Sequence, residues 1–407
     1  MDLKIVSFNV NGLLNPTKRK AIFEYLTTIP ATIFLLQETH SIVQFEQVWV
    51  NEWKHGQSIF HSSHENKHRS GVAILVNSKQ IYMEKVSNDL NGRILHVRIF
   101  YNSEILNITN IYAPSGKSNR TQNHRFFENL YPYIPLHHPT ILAGDFNCVE
   151  NPQLDKYPPV KTYSKPLTLL DLTRNLNLID SFRTQNPTST TFTRHTSNSH
   201  SRLDRFYTNH LCNPKNHIFI PTPFSDHDIV ILTLNTSSKP TTQTSFWKNN
   251  VSNFGQEQQK NEIIKLIETH SQITNTTHDK NPLENWQNLK KKIKQLLIKQ
   301  AQDISKQKQY AHIIENQKLF KLRENMIAQP TKQNFELYHK QRKQIHNTFL
   351  SEARNSFDTL LARQDLKVVR EALADVSITS SDNMKESKKE FKYALRACRK
   401  TQQKCKA

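Results

Sequence analysis

The sequence predicts an α/β or α+β layered domain followed by a mostly α-helical, basic extension. Three observations carry that prediction. Through the first 235 residues, short β-like runs bounded by turn residues alternate with helical stretches. Six of the 7 glycines and 14 of the 17 prolines lie before residue 240. Beyond that point the chain reads as long Lys/Gln/Asn/Glu-rich segments with apolar residues near 3.6-residue spacing.

The β-like runs are LKIVSFNV (3–10), TIFLLQE (32–38), GVAILVN (71–77), ILHVRIFY (94–101), ILNITNIYA (105–113), TILAGDF (140–146), RLDRFYT (202–208) and DIVILTL (228–234). Helical stretches are expected at 17–28, 119–131 and 165–177. The Ser/Thr/Pro stretch at 235–245 reads as a linker. The boundaries are therefore set at 1–236 for the layered domain, 237–250 for the linker and 251–407 for the extension. In the extension Pro282 and Pro330 punctuate two helical patterns, Trp286, Leu289, Ile293, Leu296, Leu297 and then Phe349, Ala353, Phe357, Leu360, Leu361.

Charge divides the chain in the same place. The formal net charge is +20 and the pI about 9.7, which favours a polyanionic partner such as nucleic acid or an acidic membrane surface. Residues 1–235 hold 23 basic against 18 acidic groups, and residues 236–407 hold 32 against 17. The runs KKKIK (290–294) and KESKKEFKYALRACRK (385–400) fit solvated helix faces or contact with a nucleic-acid backbone. No apolar run reaches about 18 residues, so no membrane span is expected. The start MDLKIVSFNV lacks the pattern of a secretory signal, so the protein is not expected to be secreted. Cys148, Cys212, Cys398 and Cys405 share no CxxC spacing, which reads as free thiols in a reducing compartment.

Polar residues gather at the ends of the β-like runs. They are Asn9 and Asn11, Glu38, Tyr112, Asp145 and Asn147, Asp204, and Ser225, Asp226 and His227. Strand ends of a layered domain are where ligand-binding residues collect. Phosphodiester hydrolysis needs neutralised phosphate charge, a polarised water and a protonated leaving group. Carboxylate and amide oxygens suit Mg²⁺, which points to Glu38 with Asn9 or Asp226 beside it as metal ligands. Asp204 would orient His227, and His227 would contact the phosphate or move a proton. Asp145 would orient the attacking water or supply the leaving-group proton, with Asn147 and Tyr112 donating hydrogen bonds to phosphate oxygens. Asn11, Arg194, Arg202 and Ser225 are the candidate substrate contacts. In ILAGDFNCVE, Gly144 is expected to let the strand end close to a bound phosphate.

The ordered set FNVNG, QETH, NIYAP, GDFN, RLDR and SDH resembles the endonuclease/exonuclease/phosphatase superfamily. More narrowly, it resembles the apurinic-type endonuclease domain that opens the second open reading frame of non-LTR (LINE, L1-like) retrotransposons. The likeness covers roughly residues 1–236. It implies a four-layer sandwich, with two mixed, mostly antiparallel sheets face to face and helices outside. It also implies a DNA endonuclease that uses Mg²⁺ (or Mn²⁺) to nick one strand and leave a 3′-hydroxyl, acting in the nucleus. By motif position the phosphate and metal end carries over to Asn9, Asn11 and Glu38, the tyrosine and Asp-x-Asn pair to Tyr112, Asp145 and Asn147, and the terminal acids and histidine to Asp204, Asp226 and His227. The stretch TFTRHTSNSHSRLDRF fits a hairpin, with its tip near Arg194 to Ser201, that leans into the DNA groove in this family.

Such element proteins continue into a reverse transcriptase with a Tyr/Phe-x-Asp-Asp strand, and no such tetrapeptide occurs here. FWKNN (246–250) resembles the start of the region that follows the nuclease, so the chain is expected to stop inside it. Partners are then DNA, RNA through the basic extension, and a polymerase in trans. Two other readings stay open: a phosphomonoesterase or phospholipase of the same superfamily, and a non-catalytic nucleic-acid-binding protein. HLCNPKNH (210–217) matches no common zinc spacing and is expected to be a structural loop. HSSHENKHR (61–69) reads as a polar loop, with Lys67 or Arg69 available to a phosphate.

Overall fold

A strand buried on both faces needs an unbroken apolar run, and the runs that read that way pair at the centre of two sheets. The computed structural model describes residues 2–64, 70–79, 81–101, 104–116, 120–159, 166–196, 199–235, 261–269 and 282–376. The linker 237–250, Lys67 and Arg69, the hairpin residues 197–198, and the tail 385–400 with Cys398 and Cys405 lie outside the described residues.

The first sheet has the order β14 (Pro214–Ile220), β15 (Ile229–Asn235), β1 (Asp2–Asn9), β2 (Ile33–Gln37), β4 (Val72–Val76) and β3 (Ser58–His61). The second runs β10 (Ile179–Asp180), β13 (Asp204–Thr208), β8 (Thr140–Asp145), β7 (Glu104–Tyr112), β6 (Ile94–Tyr101) and β5 (Tyr82–Asn88). β1 pairs parallel to β2 and β7 parallel to β8, and the other pairings are antiparallel. A small third sheet joins β9 (Lys156–Tyr157), β12 (His200–Ser201) and β11 (Arg194–His195).

The two large sheets enclose one core, in which Ile5, Leu35, Ile74 and Leu232 of the first meet Val97, Ile108, Ile141 and Phe206 of the second. Polar pins cross that core. Asn110 of β7 donates to the carbonyls of Leu36 and Ala73 at 2.9 Å each and accepts from Gln37 Nε2 at 2.8 Å. Helices cover the outer faces. α1 (Pro16–Thr28) starts with Asn15 accepting from the Lys18 amide, and it buries Ile22, Phe23, Tyr25 and Leu26. Phe23 meets Phe60 of β3, as does Trp49 of α2 (Glu46–Glu52). On the other side α3 (Arg120–Glu128) and α4 (Leu167–Asn175) bring Phe127, Leu169 and Leu172 onto Leu142, Phe146 and Tyr207. α5 (Ser181–Gln185) follows β10. The result is the expected four-layer sandwich.

β14 corrects the reading of 210–217 as a loop. From Pro214 onward that segment is an edge strand on β15, with His217 opposite Leu232. Half-exposed edge strands carry no clean apolar alternation, so the pattern was hidden.

The extension holds α6 (261–269), α7 (Pro282–Ala328) and α8 (Lys332–Val376), with Pro330 between the last two. Contacts divide the chain into two compact units, Met1–Thr348 and Phe349–Ala407, so α7 belongs to the same unit as the sheets. Leu319, Arg323 and Met326 of α7 and Phe335, Tyr338 and Ile345 of α8 are buried, at helical spacing along one side of each helix. Within the second unit Phe349 and Ala353 are buried. Among the described residues no helix is long and apolar enough to cross a membrane.

Candidate active site

The parallel pairs of the two sheets end at one common edge. β1 and β2 finish with Asn9 opposite Gln37, one residue before Glu38. β7 and β8 finish with Tyr112 opposite Asp145, and Asp145 also faces Asp204 at the start of β13. Ser225, Asp226 and His227 precede β15, where His227 forms a bridge with Arg194 of β11. Asn9 joins the sheets at this edge. Asn9 Nδ2 donates to Glu38 Oε1 at 3.1 Å and to Asp145 Oδ2 at 2.9 Å, while its Oδ1 accepts from the Asn11 amide at 3.1 Å.

Gly144 has φ +135°, and a Cβ there would lie 2.0 Å from the Ile111 carbonyl oxygen, so strand packing by itself requires glycine.

His227 sits between two carboxylates. Its Nδ1 is 2.8 Å from Asp204 Oδ2 and its Nε2 3.9 Å from Asp145 Oδ2, and all three residues are buried. Burial disfavours the imidazolium, but the charges of Asp204, Asp145 and Asp226 and the Asp204 hydrogen bond outweigh it and raise the pKa to about 9. Burial first and the neighbouring Asp204 second push the Asp145 carboxyl upward. The Asn147 amide donates to Asp145 Oδ1 at 2.9 Å, and Asn147 Nδ2 ties back to the Ala113 carbonyl at 2.9 Å.

Glu38 behaves in the opposite way. Burial opposes its charge, yet hydrogen bonds from His40, Tyr112 and Asn9 hold it ionised, with a pKa lowered to about 2. Burial and the Glu38 charge push the Tyr112 phenol well above its usual range, so it stays a neutral O–H donor. Asn11, Glu38 and Asn147 all have positive φ, at 49°, 51° and 47°. Non-glycine residues held there store strain of about 1–3 kcal/mol each, and such positions cluster at functional sites.

The remaining candidates divide. Arg194 Nε pairs with Asp226 Oδ2 at 3.0 Å in a partly exposed position. Ser225 is buried, and its Oγ accepts from the His227 amide at 3.2 Å, which fixes the loop. Arg202 is placed away from the cluster. It is 1% exposed, and its guanidinium is engaged by Asp155 at 2.7 Å and Asp180 at 2.7 Å. Three further side chains border the cluster, of which His40 belongs to QETH. Lys18, in the first turn of α1, donates from Nζ to the Val10 and Asn11 carbonyls at 3.0 and 2.6 Å, and burial lowers its pKa to about 8. Arg93 lies over the Tyr112 ring at 4.9 Å, and His40 faces Glu38 at 3.7 Å. Burial pushes the Cys148 thiol up to about 11, which disfavours the thiolate.

The donor set fits a hard divalent cation. Asp145 and Asp204 bring carboxylate oxygens within 4.8 Å of one another, Asp204 Oδ1 is buried with no hydrogen-bond partner among the described residues, and Glu38 is ionised, so the edge is rich in oxygen ligands.

Residues 6–227 match the Endonuclease/Exonuclease/phosphatase family. Over 242 residues, 57% of this chain, the sequence is 34% identical to the transposon TX1 uncharacterized 149 kDa protein of Xenopus laevis, and the match spans 18% of that protein's length. The AP endonuclease LMAP from Leishmania major superposes with a TM-score of 0.48 at 18% identity, covering 58% of this chain and 88% of that one. The endonuclease domain of TRAS1, a telomere-specific non-LTR retrotransposon, gives a TM-score of 0.41 at 14% identity, covering 57% and 98%. With its ordered strand-end motifs folded onto one edge of a two-sheet sandwich, the chain belongs to the endonuclease/exonuclease/phosphatase family.

Proposed function

We propose that the protein is a Mg²⁺-dependent DNA endonuclease that nicks one strand and leaves a 3′-hydroxyl, as in target-site nicking by a non-LTR retrotransposon. The observation that carries this reading is Asp145, held 2.9 Å from the Asn9 amide and 3.9 Å from His227, with Asp204 behind the imidazole. His227 is a cation at neutral pH and stabilises charge on a phosphate oxygen. Asp145, whose carboxyl is raised, orients the water or gives its proton to the leaving oxygen. Tyr112 and Asn147 donate hydrogen bonds to the phosphate, and Asn11 and Arg194 contact the strand that is cut.

Glu38 is the metal ligand, with Asn9 or Asp226 beside it, and Mn²⁺ would be accepted in place of Mg²⁺. When bound, the cation neutralises phosphate charge and polarises water. The setting is the nucleus, with DNA as substrate, RNA held by the basic extension and a polymerase supplied in trans.

Supercoiled plasmid with Mg²⁺ tests the reading. Open circles are expected, abolished by EDTA and by Asp145→Ala or His227→Ala. Hydrolysis of inositol phosphates without nicking would favour a phosphomonoesterase or phospholipase. Salt-dependent DNA binding with no turnover would favour a non-catalytic binding protein.

A further inference from the structure

The family match ends at His227, and the next residue anchors a second buried network that reaches into α7. Arg323 Nε donates to Asp228 Oδ2 at 2.5 Å, and its Nη2 donates to the Phe192 carbonyl at 2.8 Å. Asp228 Oδ2 also lies 3.0 Å from His195 Nε2, and His195 Nδ1 lies 2.9 Å from His200 Nδ1. Phe335 stacks on the His200 ring at 4.9 Å and 6°, and Tyr338 packs on His195 at 6.1 Å. Arg323, Asp228, His195 and His200 are each 3% exposed or less. A guanidinium suits this place because its rigid planar fork aims separate N–H groups at a carboxylate and a carbonyl, whereas an ammonium donates from a single nitrogen.

The segment so fastened is sewn to the residues of the cluster. His195 N donates to the Asp226 carbonyl at 2.8 Å and Asp228 N to the Thr193 carbonyl at 2.6 Å. Thr193 Oγ1 accepts from the amides of Leu203 and Asp204 at 3.0 and 3.1 Å. Residues 193–195 therefore lie between the loop carrying His227 and the strand carrying Asp204.

We propose that Arg323 is a positioning residue for the hydrolytic site: by holding Asp228 and the Phe192 carbonyl it fixes residues 193–195, and through them the His227–Asp204 and Arg194–Asp226 pairs. The first part of the helical extension is then a working part of the nuclease. This rests on the endonuclease reading, and the test separates the two.

In the full chain, Arg323→Gln is compared with wild type, with Arg323→Lys and with Glu336→Gln, an exposed change on α8. For Arg323→Gln the expected result is a fall in kcat for nicking of roughly 10- to 100-fold with KM changed by less than about threefold. Amide hydrogen exchange should accelerate at 193–195 and 226–228 but not in β2 or β4. Arg323→Lys should fall between the two, and Glu336→Gln should match wild type. If Arg323→Gln does not fold, the charge-balanced Asp228→Asn/Arg323→Gln pair replaces it, with the same loss of kcat expected. Wild-type kcat and exchange would overturn the proposal, as would exchange that rises equally in β2 and β4. A wild-type chain that does not nick removes the endonuclease reading, while the exchange pattern still decides the role of Arg323.

Discussion

His227 and Asp228 are neighbours in the chain, yet each belongs to a different buried His–Asp cluster. Successive residues of an extended segment point to opposite sides, so one faces the sheet edge and the other faces α7. Around His227, Asp145 and Asp204 share one imidazole, and negative charge is in excess. Around Asp228, one carboxylate meets His195 and the permanent charge of Arg323. The residue types are nearly the same, and the count of cations decides the chemistry. Burial first and the Asp204 charge second lift Asp145, and the surrounding carboxylates lift His227 against burial, which leaves protons to move, whereas Arg323 and His195 outweigh burial and lower Asp228 to about 2. The first cluster is fit for reaction and the second for holding position.

Substitutions on the two sides sharpen that contrast. His227→Ala or Asp145→Ala should lower the nicking rate by about 10³-fold or more, measured as open-circle formation under single-turnover conditions. A loss under tenfold would remove these groups from the chemistry. Asp228→Asn should instead cost about 3–5 kcal/mol of stability, because Arg323 is left buried beside a neutral amide. Denaturant unfolding reads this, and an unchanged midpoint would place the pair's charges in water.

Acid should act on the positioning side first. His200 is lowered to about 4, with burial the main cause and His195 next. A group with a depressed folded pKa contributes stability that is present above its unfolded pKa, near 6.5, and is lost as pH falls toward 4. The loss should reach about 2–3 kcal/mol across that window. His200→Phe, which keeps a ring on Phe335, should flatten this part of the Tm-against-pH curve, and an unaltered slope would assign it to another group. The smallest stability change is expected from Asp145→Asn, which removes a like charge and should raise stability by about 1 kcal/mol, although nicking is lost. A destabilised Asp145→Asn variant would mean that the two clusters do not differ in charge balance.

The central strands were legible because both of their faces are covered, and unbroken runs such as VAILV and TILAG have few alternatives. The strand-end polar residues were legible as a set because the parallel pairs finish together, which brings Asn9, Glu38, Tyr112, Asp145, Asp204 and His227 to one edge. Arg202 misled because RLDRFY shows a cation beside the site without showing Asp155 and Asp180, which come from 47 and 22 residues earlier in the chain. Arg323 was invisible for the same reason. It stands among lysines and glutamates on a helix, and its partner lies 95 residues away. β14 and α2 were missed because edge and surface elements show little apolar patterning.

Among the described residues the strands of the two sheets share no backbone hydrogen bond, and apolar contact alone does not specify how far one layer slides over the other. Asn110 supplies that information at mid-core and Asn9 supplies it at the edge. The cluster around Asp145 is therefore a vernier for the sandwich. A shift of one layer by a fraction of a strand repeat leaves every strand intact but separates Glu38 from Asp145, so the proposed nicking would report layer alignment before any spectroscopic signature of unfolding.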